Sequence, residues 1–282
     1  MVGFIEIDDL RVAYRELGEG PPVLMLHGWP TSSYLWREVM PPVADAGHRA
    51  IAVDLPGYGA SSKPPDAKYD FAFYDRVLDG FLGALGIETT ALAVHDVGGP
   101  IGLHWAAHRP ERVTALALLN TLVYPEFDEM ALKFIETLST PGPREQLTSP
   151  AGLEFSMKFG LADESNLTPE TLAAVVEPFR TDADRAALAA AGIGFTPEGF
   201  ERIARLLPEA FANTPVRIVY GEQDRILPTV AETMARVKRD LPHTEITTLP
   251  DAGHFLQEEA GPHVGGLLAD FLGAPRGAAR AT

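Results

Sequence analysis

The chain has 282 residues, 46% of them hydrophobic and 22% charged, which is room for one large packed domain or a core carrying a sizeable insertion. Its formal net charge of −16 argues against a basic face for nucleic acid and against attraction to anionic membrane surfaces. It contains no cysteine, so disulfides, thiolate nucleophiles and cysteine-ligated metals are excluded.

In chain order, the segment Met1 to Leu10 lacks a basic region followed by an apolar stretch, so no signal peptide is expected. No apolar run is long enough to span a membrane, and a cytoplasmic protein is expected. The run Val23–Leu26 predicts a buried strand, and Leu26-His27-Gly28-Trp29-Pro30 follows it as a turn. Ala50–Val53 predicts the next strand, followed by the glycine-rich turn Asp54 to Ser61. Phe71, Tyr74, Leu78, Phe81, Leu82 and Leu85 recur at helical spacing. Ala91–Val94 and Val113–Leu119 predict two more buried strands, separated by a helix from Gly98 to His108. This alternation predicts a mostly parallel, doubly wound sheet with helices on both faces.

From about Pro125 to Ala212 the strand-like runs stop. Thr168-Pro169-Glu170 and Thr196-Pro197-Glu198 each read as an N-cap followed by proline at the first helical position, and Thr181–Ala191 is rich in Ala and Leu. Val216–Tyr220 and Glu245–Leu249 then resume the strand pattern. The expected organisation is a core of residues 1–124 and 213–282, split by a helical cap at 125–212. The tail from Gly273 is expected to fray.

Five segments carry chemistry. In Ala91 to Gly102 a strand runs through a sharp turn into a helix, and Asp96 occupies the exposed point of the turn, where a nucleophile elbow usually has serine. Asp96 also suits an N-cap for the following helix, and the segment alone leaves both readings open. The His27–Pro30 turn is placed to give the backbone N–H of Trp29 to an oxyanion hole, paired with the N–H of Val97 after the nucleophile. The turn at Asp54 to Ser61 needs no function. Tyr220-Gly221-Glu222-Gln223-Asp224 follows one late strand, and Asp251-Ala252-Gly253-His254-Phe255 follows the next. Nucleophile, acid and histidine in that order give the triad Asp96, Asp224 and His254, with Glu222 as a rival acid. His27, His95, His104 and His108 have structural readings available.

On these segments the chain resembles the haloalkane dehalogenase and epoxide hydrolase branch of the α/β-hydrolase superfamily. The stretches His27 to Arg37 and Leu103 to Val113 look like dehalogenases. The His27–Pro30 loop, Gly57-Tyr58-Gly59, His95 to Gly99 and Leu119-Asn120-Thr121 look more like epoxide hydrolases. The resemblance implies an α/β-hydrolase fold with an eight-stranded, mostly parallel sheet and an inserted helical cap. It implies an alkyl ester on Asp96 that His254, oriented by Asp224, hydrolyses through water. It also implies a cis Trp29–Pro30 bond and no metal or organic cofactor.

A dehalogenase normally has a tryptophan after the nucleophile, where Val97 stands, and often an asparagine where Trp29 stands. An epoxide hydrolase normally draws its acid from cap tyrosines, and the segment from Pro125 to Ala212 has no Tyr, Trp or His. Tyr124, at the edge of the cap, is the nearest candidate. Because Val97 offers a halide no side-chain donor, the expectation is epoxide opening to a diol, with haloalkane dehalogenation as the alternative and a non-catalytic binding protein as a third reading. Trp29, Asn120 and Tyr124 are the candidate substrate-binding residues, the substrate is expected to be a small hydrophobic organic molecule, and the protein is expected to be a monomer or homodimer.

Overall fold

A computed structural model describes residues 2–273. The tail expected to fray lies, apart from Gly273, outside the described residues.

The chain begins with β1 (Val2–Ile7), β2 (Leu10–Leu17) and β3 (Pro22–Leu26), followed by α1 (Met40–Asp45) and β4 (Arg49–Val53). Then come α2 (Phe71–Ala84), β5 (Thr90–Asp96), α3 (Gly98–Ala107) and β6 (Val113–Thr121). All α- and β-elements between β6 and the next strand are helical: α4 (Glu129–Ser139), α5 (Pro141–Leu147), α6 (Pro150–Gly160), α7 (Pro169–Val176), α8 (Asp182–Ile193) and α9 (Pro197–Ala210). β7 (Val216–Gly221), α10 (Val230–Asp240), β8 (Glu245–Leu249) and α11 (Leu256–Leu272) complete the chain.

The eight strands form one sheet in the order β1-β2-β4-β3-β5-β6-β7-β8. β1, β2 and β4 pair antiparallel, and the rest pair parallel. The central strands β3, β4 and β5 are buried almost throughout, as expected for a sheet covered on both faces. β1 and β2 escaped the sequence reading because burial along them is patchy, with Phe4 and Leu17 exposed, so they carry no continuous apolar run.

The predicted helix starts are largely built as read. Thr168 accepts a hydrogen bond from the Thr171 N–H, and Thr181 with Asp184 forms a capping box on α8. Thr196 sits at the N-cap of α9 but makes no side-chain cap bond. No described helix is long and apolar enough to cross a membrane. The consequence for function is geometric: β3, β5, β6, β7 and β8 are all parallel, so the loops after them emerge at one edge of the sheet.

Candidate active site

β5 is buried along its whole length and ends on Asp96, whose φ of 50° bends the chain sharply into α3. The Thr121 hydroxyl donates to the Asp96 carbonyl at 2.6 Å and pins the bend from β6. Only glycine fits beneath it: a side chain on Gly28 would run into the Asp96 side chain, and one on Gly99 into Thr121. Asp96 does not cap α3. The N-cap is Val97, with no side-chain cap bond, and Asp96 Oδ1 instead accepts the Trp29 backbone N–H at 2.7 Å. The Trp29–Pro30 peptide bond is cis.

His254, on the loop after β8, points Nε2 at Asp96 Oδ2 from 3.5 Å, an ion-pair distance too long for a good hydrogen bond. Its Nδ1–H donates to Asp224 Oδ2 at 2.8 Å. Asp224 is held firmly: Oδ1 accepts the N–H groups of Ile226 and Leu227, each at 2.8 Å, and Oδ2 accepts the Asn120 amide at 2.7 Å. Glu222, the rival acid, is exposed and takes no part.

The electrostatics follow from burial opposed by pairing. Burial penalises the charged forms of all three groups, but the pairing outweighs it. Asp96, facing His254 and the Val97 N–H, and Asp224, facing His254, Asn120 and the Leu227 N–H, are held below the ordinary carboxylate range. His254, between two carboxylates, is raised to about 10. The resting arrangement is therefore an imidazolium between two carboxylates.

The other histidines have separate tasks. Burial, aided by His254, pushes His95 down to about 3, so its ring is neutral and its Nε2–H donates to the His254 carbonyl at 2.9 Å. His27 Nδ1–H donates to the Gly28 carbonyl, and its Nε2 accepts the Leu55 N–H. His104 pairs with Asp75, beside Arg109, and His108 bonds the His104 carbonyl.

Above Asp96 lies a cavity of about 440 Å³, walled by core residues such as Val97, Leu122 and Leu227 and by the helical insertion through Phe127, Phe134, Phe159 and Phe200. Trp29 forms part of this wall, its ring edge-on to Phe134. Its indole Nε1 is buried with no hydrogen-bond partner. The Ser156 and Thr137 hydroxyls in the lining donate to carbonyls of their own helices, and Lys133 is exposed. Trp29 Nε1–H is thus the uncommitted buried side-chain donor of the cavity among the described residues.

Two expected substrate contacts are corrected. Tyr124 turns away from the cavity: its hydroxyl donates to Asp240 Oδ2 at 2.7 Å, and Arg236 lies over its ring. Asn120 is fully buried and does not line the cavity. Its amide bonds Asp224 and its carbonyl accepts the Gly221 N–H at 3.0 Å, so it fixes the acid rather than the substrate. The sequence held one signal for this, a polar residue ending a strand of apolar residues. Thr121 and His95 carried no signal beyond lying at or beside a strand end.

Residues 21–261 match the family model of the alpha/beta hydrolase fold. The chain is 32% identical over 286 aligned residues to a haloalkane dehalogenase of Sphingobium indicum, covering 95% of this chain and 94% of that one. A haloalkane dehalogenase of Mesorhizobium japonicum is 43% identical over 150 residues, 51% of this chain and about half (48%) of that one. The crystal structure of a haloalkane dehalogenase from Agrobacterium tumefaciens superposes with a TM-score of 0.83 at 27% identity, covering 96% of both chains.

Proposed function

Since the chain belongs to the α/β-hydrolase fold family, in the branch of the haloalkane dehalogenases, we propose that it hydrolyses apolar compounds bearing a halide on a saturated carbon. The donor set of the cavity carries this reading. An opening epoxide needs a proton for its alkoxide, yet Tyr124 is committed to Asp240 and no tyrosine among the described residues lines the cavity. A departing halide needs no proton, only a hydrogen bond, and the unpartnered Trp29 indole stands beside the nucleophile to give it. Dehalogenation, the alternative at the level of sequence, therefore replaces epoxide opening. The intact triad argues against a non-catalytic binding protein. A cavity of about 440 Å³ with aromatic walls suits an extended alkyl or aryl-alkyl group.

In the mechanism the helical insertion acts as the cap. Asp96 Oδ2, the oxygen left free by the Trp29 N–H, attacks the carbon, the carbon–halogen bond breaks, and the halide leaves toward Trp29 Nε1–H. Alkylation turns Asp96 into a neutral ester. One of the two carboxylates that hold the proton on His254 has then lost its charge, so the His254 pKa falls and the ring releases the proton to solvent. Neutral His254 takes a proton from water, which attacks Asp96 Cγ. The Trp29 and Val97 N–H groups hold the oxyanion. Collapse breaks the Cγ–O bond to the alkyl group, and His254 returns its proton to the departing alcohol.

The donor assignment is tested by Trp29→Phe, which keeps an aromatic ring against Phe134. A hydrogen bond to a charged group contributes roughly 1.5–3 kcal/mol, so alkylation by a bromoalkane should slow about 10- to 100-fold while decay of the ester changes little. The effect should be larger for chloride than for iodide as the leaving group, because chloride is more strongly hydrated. Diol formation from epoxides without halide release from any bromoalkane or iodoalkane would reverse the assignment.

The mechanism also fixes the pH dependence of each half-reaction. Asp96, its pKa lowered, is ionised throughout the neutral range, so alkylation should be flat with pH. Ester hydrolysis needs neutral His254, so it should rise with pH through a pKa below the resting value of about 10 and then level off. Below that pKa the decay of preformed ester should slow about tenfold per pH unit, as followed by rapid quenching and intact mass. Ester decay that is equally fast at every pH would remove His254 as the base.

A further inference from the structure

The ring of His254 has one fixed anchor, Asp224, but its backbone is gripped from two sides. His95 Nε2–H holds the carbonyl, and the His254 N–H donates to the carbonyl of Gly160 at 2.7 Å, at the last residue of cap helix α6. The loop Gly253–Phe255 and the cap segment 160–162 lie so close that a side chain on Gly253 would collide with the Gly160 carbonyl, and one on Gly160 with the Phe255 ring. Arg225, one residue past the triad acid, adds a guanidinium bond to the Leu161 carbonyl.

Glu259 closes this arrangement. From the first turn of α11 its carboxylate accepts two backbone N–H bonds through different oxygens. Oε2 takes the Gly253 N–H at 2.6 Å, on the residue before His254, and Oε1 takes the Asp163 N–H at 3.0 Å, in the cap. Such charge-assisted bonds are short and strong, and a carboxylate beside a helix N-terminus is favoured by the helix dipole. The adjacent Glu258 does a different job: it pairs with Arg37 at 2.6 Å and accepts from Thr171 of α7, fastening cap to core without touching the His254 loop through its side chain.

We propose that Glu259 is a positioning residue for His254, coupling the seated cap to the water-activating half of the reaction. The proposal rests on the alkyl-ester reading above. Alkylation uses Asp96 and the Trp29 indole, neither of which the Glu259 clamp touches, so it proceeds whether or not the clamp is made. Ester hydrolysis needs His254 aligned on a water, and misplacement by about 1 Å can cost on the order of a hundredfold. With the clamp intact, the base is held in line only while the cap segment 160–163 is seated.

The test separates the two half-reactions in the full-length protein, with 1-bromohexane as the probe and intact mass spectrometry as the readout. Glu259→Gln preserves size but can offer only one acceptor oxygen to the two amides, and Glu259→Ala removes both. Both variants should slow decay of the ester by about 10- to 100-fold, accumulate it in the steady state, and leave its formation within about twofold of the parent. Glu258→Gln, which loosens the cap elsewhere, should change formation and decay by similar factors. Unchanged ester decay in both Glu259 variants, or equal loss of both steps, overturns the proposal. Failure of His254→Gln to form any ester would defeat the functional reading itself, and the clamp with it; ester in that variant with unaltered Glu259 variants defeats the clamp alone.

Discussion

The His254→Gln protein should stop halfway through the reaction. Incubated with a bromoalkane, it should release one equivalent of halide and gain the mass of one alkyl group, mapped by fragmentation to Asp96. Steady turnover should fall by roughly 10²–10⁴-fold, the range expected for removing a general base. The asymmetry follows from the site geometry. Asp96 is held in its attacking position by the Trp29 N–H and by the strained bend at φ 50°, neither of which involves His254. His254 Nε2 pairs with Asp96 Oδ2 from 3.5 Å, and once the ester has neutralised Asp96 the same nitrogen is placed to take a proton from a water approaching Asp96 Cγ. Alkyl mass on another residue, or full turnover in Asp96→Ala, would falsify the covalent mechanism.

Asp224→Ala should be nearly as damaging, with steady-state turnover down by on the order of 10³-fold, because the acid fixes the ring and stabilises its imidazolium. The structure sharpens the contrast with Glu222, which is exposed while Asp224 is buried and receives four hydrogen bonds from Asn120, Ile226, Leu227 and His254. Glu222→Ala should stay within about twofold of the parent, as exposed substitutions usually do. Comparable losses at the two positions would mean that another carboxylate orients the histidine.

Much of the core was legible because its signals are local. The strands β3 to β6 are apolar runs bounded by turn or polar residues, as the buried middle of a parallel sheet demands. The triad was legible for a related reason: Asp96 ends one strand, and Asp224 and His254 lie on the loops after two others of the same parallel set, so topology brings all three to one edge. The proposed oxyanion donors are backbone N–H groups, readable from position without regard to side-chain direction.

What the sequence left open was the direction of particular side chains at the edge of the site. Tyr124 sits one residue before the segment that walls the cavity, yet its hydroxyl turns to Asp240, 116 residues away in sequence. Asn120 stands at the end of β6, where either substrate or acid was within reach, and its φ of 32° and its two hydrogen bonds commit it to the acid loop. Trp29 could be named as a substrate-binding candidate from the sequence, but only packing leaves its indole N–H buried and unpaired in the cavity wall. The sequence by itself therefore determined the sheet, the chain order of Asp96, Asp224 and His254, and the carboxylate at the elbow, since strand period and turn chemistry are properties of a few neighbouring residues. Tertiary structure decided which side-chain donor is left unpaired in the cavity wall, and whether the His254 loop is tied to the helical insertion. Those outcomes depend on contacts between segments far apart in sequence, such as the Asp163 N–H with the Glu259 carboxylate across 96 residues, which no local pattern encodes.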